Sequence, residues 1–162
     1  MPTFELSTSV ALPHPRERVF AFFADAGNLD SLTPPWLSFR ILTPRPIEMR
    51  AGTLIDYRLS LHGVPIRWRT RIERWEPPTA FVDEQLRGPY RLWHHTHTFT
   101  EVDGGTRVDD RVRYRVPGGH LVHRLFVEPD LRRVFGYRVA ALRRAFGVSD
   151  TAAADVVIRR VE

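Results

Sequence analysis

Two histidines at alternate positions, His95 and His97, and one aspartate, Asp110, are the residues whose types and spacing best suit chemistry. Asp103-Gly104-Gly105 after Phe99 is a hairpin turn signal. Beyond it Arg107, Asp109, Arg111, Arg113 and Arg115 alternate with Val108, Asp110, Val112, Tyr114 and Val116. Period-two alternation marks a strand with one wet and one buried face. Asp110 is therefore a carboxylate on the apolar side. Folding the hairpin so that Phe99 and Val108 share the buried face sets the register. It places His97 opposite Asp110, His95 opposite Val112 and Trp93 opposite Tyr114, with His94 outside.

Directly opposed side chains are close enough to interact. His97 and Asp110 can form a dyad in which the carboxylate orients the imidazole as a general base, enough for an aldol-type cyclisation or a dehydration. The competing reading is a buried polar pair that satisfies itself. His95, His97 and Asp110 also have the composition of a two-histidine, one-carboxylate metal site. No third imidazole converges, because His94 faces out, so neither metal nor cofactor is expected. No Ser or Cys stands in an obvious nucleophile motif, which argues against acyl transfer. Arg138, three after Phe135 and four before Leu142 on a helical apolar stripe, is expected to pair with Asp110 or Asp83. Its other role would be to bind an acidic ligand group.

The elements that must position these groups follow from periodicity. Residues 3–12 alternate as a first strand. Pro15 opens a short helix over Arg16 to Ala24, with Val19, Phe20 and Phe23 on one face. A second short helix is read over Asn28 to Leu32. Strands are read over 39–43, 53–61, 66–75 and 79–86. In the third of these Ile66, Trp68, Thr70 and Ile72 point inward, and in the last Phe81, Asp83 and Gln85 share a face. A short helix over 121–126 and a long one over 131–146, with Asp130 as N-cap and Gly147 past its end, close the pattern. The order is α+β: a curled antiparallel sheet with the long terminal helix across its concave face. Residues 1–147 read as one domain and 148–162 as a tail with no assigned pattern.

Composition narrows the classes. With 162 residues the chain suits one domain with a sizeable core. It has no cysteine, which removes disulfides and thiolate chemistry. No stretch is apolar enough to span a bilayer and no apolar run follows a basic start, so no stable membrane insertion and a cytoplasmic location are expected. The net charge is +5, carried by arginine without lysine. The arginines are spread along strand exteriors and the last helix among acidic residues, unlike a phosphate footprint, so no nucleic-acid partner is expected.

Three pieces carry a family resemblance. They are Phe81-x-Asp83-x-Gln85-x-x-Gly88-Pro89-Tyr90-x-x-Trp93-x-His95-x-His97-x-Phe99, Gly104-Gly105-Thr106-x-Val108-x-Asp110-x-x-x-Tyr114, and Phe135-x-Tyr137-Arg138. Over about residues 3–147 the chain resembles the SRPBCC superfamily, which includes START-type lipid-transfer domains, the birch-pollen-allergen fold and polyketide cyclase/dehydrases. It is most similar to stand-alone bacterial ligand-binding members. The resemblance implies a helix-grip fold in which the sheet wraps the long helix around a hydrophobic cavity. It implies a small hydrophobic or aromatic ligand, lipid or polyketide-like. Ligand-binding positions are then expected at Tyr57, Trp68, Asp83, Gln85, Trp93, His95, His97, Asp110, Tyr114, Phe135 and Arg138. The alternatives are a cyclase or dehydratase using His97 or His95 with Asp110 in the same cavity, and a protein-interaction module with an exposed apolar patch. Oligomeric state is left open.

Overall fold

A computed structural model describes residues 1–162. Strand β1 (Phe4–Leu12) is followed by helix α1 (Arg16–Ala24), a 3₁₀ turn over Ala26–Asn28, and the one-turn helix α2 (Leu29–Leu32). The sheet continues with β2 (Arg40–Ile41), β3 (Leu54–Leu61), β4 (Val64–Glu76), β5 (Ala80–Arg87), β6 (Leu92–Val102) and β7 (Gly105–Arg115). Helix α3 (Gly119–Val122) runs through a π turn over His123–Val127 into the long helix α4 (Glu128–Ala145), and β8 (Val157–Arg160) ends the chain. The eight strands form one antiparallel sheet in the order β2-β3-β4-β5-β6-β7-β1-β8. Together these elements make the helix-grip α+β fold. No helix is long and apolar enough to cross a membrane.

The β6–β7 register is the expected one: Phe99 pairs with Val108, His97 with Asp110, His95 with Val112 and Trp93 with Tyr114. Phe99, Val108, Val112 and Tyr114 are fully buried, while Arg111 and Arg113 are exposed. Each such large apolar side chain contributes roughly 1.5–3 kcal/mol by leaving water.

Five expectations are corrected. The long helix begins at Glu128, and Asp130 is not its cap; its carboxylate instead accepts a 2.6 Å bond from His62 of the β3–β4 turn. The short helix before it joins α4 through the π turn, so no break separates them. The strand read over 39–43 is only Arg40–Ile41, and the second helix only Leu29–Leu32. Past Gly147 the chain is not featureless: Val157–Arg160 pairs with β1 and covers its free edge.

A register shift in β4 between Ile72 and Arg74 shapes the grip. One extra residue, Glu73, bends the strand and resets its phase. Trp75, outward by strict alternation, consequently reaches Phe81 and Phe20, with ring centroids 5.4 and 5.1 Å away. The sheet bends around α4, which presents Leu131, Phe135, Arg138, Val139 and Leu142 to it.

Candidate ligand cavity and its polar end

Between the concave face and α4 lies a cavity of about 390 Å³ with mostly apolar walls. Tyr57 and Trp68 stack at 5.8 Å on one wall, and Trp68 meets Trp93 edge-on at 5.4 Å. Phe135 faces them from α4, 6.4 Å from Trp93.

One part of the wall is charged, and four elements build it: Asp83 from β5, His95 and His97 from β6, Asp110 from β7 and Arg138 from α4. Register brings them together, since Asp83 pairs with His95 and Asp110 with His97 across neighbouring strands. Being two apart on one strand, the imidazoles share a face and stack with centroids 3.7 Å apart. The ring of His97 is held between that of His95 and that of Phe81, the latter 4.0 Å away.

Asp110 is the anchor. Its Oδ1 accepts from Nε2 of His95 at 2.9 Å and lies 3.0 Å from Nδ1 of His97. Its Oδ2 accepts from Nε of Arg138 at 3.0 Å. Nε2 of His97 donates to Oδ2 of Asp83 at 2.6 Å. Both nitrogens of His97 thus face carboxylates, which favours the imidazolium. Burial works against that charge, but the bonds to Asp110 and Asp83 outweigh it and raise the pKa of His97. Burial and the neighbouring His97 lower the pKa of His95 and keep it neutral. Burial opposes ionisation of Asp110, yet Arg138 and the two imidazoles hold its pKa well below the usual carboxylate range. Asp83 is likewise lowered against its burial by His95 and His97. Two carboxylates then balance one guanidinium and one imidazolium. With Nε2–H of His95 given to Asp110, its Nδ1, 3.9 Å from Oδ2 of Asp83, is left as an acceptor that makes no protein hydrogen bond, as is Oδ1 of Asp83.

Of the positions named from the sequence, Tyr57, Trp68, Asp83, Trp93, His95, His97, Phe135 and Arg138 line the cavity. Asp110, Gln85 and Tyr114 do not. Asp110 sits behind the imidazoles, 3% exposed. Gln85 is turned to the backbone of Tyr90, donating to its carbonyl at 2.8 Å and accepting from its N–H at 3.1 Å. Tyr114 is fully buried, its hydroxyl 2.8 Å from Nε2 of His123. The simple His97–Asp110 dyad is also revised, because Asp110 serves three cationic or donor groups and Asp83 takes the other side of His97. Tyr90, Leu131 and Val134 join the wall without having been expected there. Tyr90 was legible in the Gly-Pro-Tyr motif, and Leu131 and Val134 fall at helical spacing before Phe135 and Arg138.

Asp83, His95 and His97 offer potential metal-ligand atoms within 4.8 Å of one another. Asp83, not Asp110, is thus the carboxylate placed for such a set.

No curated protein sequence matches the chain. Solved structures do share its fold. The Zhui aromatase/cyclase from a Streptomyces species aligns with a TM-score of 0.69 and 15% identity, over 88% of this chain and 96% of that one. Protein CV1439 from Chromobacterium violaceum gives 0.69 and 16%, over 88% and 96%. A nucleoside-diphosphate sugar epimerase from Corynebacterium glutamicum gives 0.65 and 28%, over 85% of this chain but 28% of that one. Residues 12–143 match the family described as polyketide cyclase/dehydrase and lipid transport, and the chain belongs to that family.

Proposed function

We propose that the protein binds one small, largely apolar aromatic molecule between the sheet and α4, with a hydrogen-bond donor such as a hydroxyl turned toward Asp83 and His95. The observation that carries this reading is the apolar, aromatic-walled cavity with two acceptors on its charged wall, Oδ1 of Asp83 and Nδ1 of His95, that make no protein hydrogen bond. A cavity of this size falls in the range that encloses small ligands, with affinity from apolar burial and orientation from a few polar groups. Calorimetric titration with 1-naphthol and with 1-methylnaphthalene tests it. The two share a ring system and differ in the donor. Saturable one-to-one binding is expected for both, about tenfold tighter for the naphthol, and His95→Leu should erase the difference. Equal affinities in the wild type would remove the donor from the reading, and no binding of either would remove the cavity.

A second reading is favoured by the unengaged Nδ1 of His95. A neutral imidazole held by a carboxylate on its far nitrogen is a competent general base. A cyclase or dehydratase would use it to take a proton from a carbon next to a ligand carbonyl. His95, not His97, would be that base, since both nitrogens of His97 are engaged. Binding by His95→Gln with loss of turnover would support this reading; retained turnover would end it.

A further inference from the structure

We propose that the end of the molecule built around Gly119–Val127 docks on an anionic lipid surface. The segment turns large apolar side chains toward water, which a helix on an ordinary wet surface does not do. Of its two histidines His120 is exposed, and His123 is inside: it is 3% exposed, stacks on Phe4 at 3.5 Å and meets the Tyr114 hydroxyl. Its large apolar side chains are outside: Leu121, Leu125 and Phe126 are 67%, 57% and 59% exposed. Leu121 and Leu125, four apart, lie on one face. The stacked and bonded His123 fixes which side faces out.

The charges at this end fit the same partner. Antiparallel pairing puts the start of β6, the end of β7 and the start of β1 together, as the pairs Leu92–Arg115 and Phe4–Tyr114 show. Arg91 is tied to the same place by its N–H to the Arg115 carbonyl at 2.9 Å. The β5–β6 connection after Arg87 and the β3–β4 turn belong to this end too, the latter through His62 and Asp130. The carboxylates here are engaged: Glu128 by Arg132, Asp130 by His62 and Glu162 by Arg113. Exposed Arg91 and Arg124 form no ion pair. Exposed apolar groups beside uncompensated arginines are the combination that holds a protein on anionic lipid without spanning it. A two-fold contact between copies would instead set the same arginines near one another. Val122 and Val127 of this segment also line the cavity, so the docking face and the cavity share a wall.

Co-sedimentation with vesicles tests the proposal, and no cavity ligand is added, so its failure leaves the cavity reading untouched. The full chain should bind equimolar phosphatidylcholine–phosphatidylglycerol vesicles, more weakly at high salt, and bind pure phosphatidylcholine poorly. Leu125→Glu with Phe126→Glu should weaken binding at least about tenfold with an unchanged melting temperature; should that variant not fold, Phe126→Ser is read in its place for a smaller loss. Arg91→Glu with Arg124→Glu should remove the preference for the anionic lipid. The proposal is overturned if the wild type binds neither vesicle, if the apolar variants bind like the wild type, or if the arginine variant keeps its preference. A wild-type dimer dissolved by the apolar variant would also overturn it, assigning the face to a second copy.

Discussion

Replacing Asp110 by Asn removes the negative charge that Arg138 and both imidazoles face. Those partners stay buried, and breaking a buried pair by deleting one member leaves the other uncompensated. The expected loss is about 3 kcal/mol in a denaturant melt. An unchanged melt would show that the network does not depend on this carboxylate. The two histidines should also shape the pH dependence, in opposite senses. His97 has a raised folded pKa, so its contribution is complete below the ordinary value of 6.5 and is lost as pH rises through the folded value. His95 has a lowered one, so the unfolded chain binds its proton first and stability falls as pH drops below 6.5. The aspartates lose their contribution only below their ordinary 3.8, as their folded forms protonate. Stability should therefore peak near neutrality. His97→Gln should flatten the alkaline side and His95→Gln the acid side; melts across pH that show no such separation would contradict the assigned protonation states.

At the scale of elements, the β6–β7 hairpin fixes the register on which the whole site depends. Gly105 follows the turn, and a Cβ there would land on the carbonyl oxygen of Leu12. Gly105→Ala should cost about 2 kcal/mol, because strand backbone cannot move aside cheaply. Gly104 has φ of +80° and open space around it, so Gly104→Ala should cost only about 1 kcal/mol, from the backbone conformation alone. Melts of the two variants giving the reverse order would place the constraint elsewhere. This hairpin was legible because ten residues alternate without a break and one aspartate interrupts the apolar side. The extra residue Glu73 was not legible, since nothing distinguishes it from its charged neighbours. Asp83 could be named as inward but not joined to His97, because β5 has the weakest alternation of the long strands. The helix from Gly119 defied periodicity, its buried face carrying His123 and its wet face leucines. The strand Val157–Arg160 has too few residues, two of them arginine, to announce itself.

At the scale of the molecule, sheet and α4 approach without closing, and the aromatic side chains that would fill a plain core line a cavity instead. A pair of phenyl- or indole-sized groups in such a space removes apolar surface worth roughly 25 cal/mol per Å² from water, so a ligand of matching shape is held without strong polar bonds. Native mass spectrometry of the gently purified protein is the most direct measurement. The expected spectrum shows the chain carrying one small molecule, or taking up one equivalent of 1-naphthol after stripping. A stripped chain that keeps its native charge states and takes up no naphthol at any concentration offered would contradict the ligand-binding account.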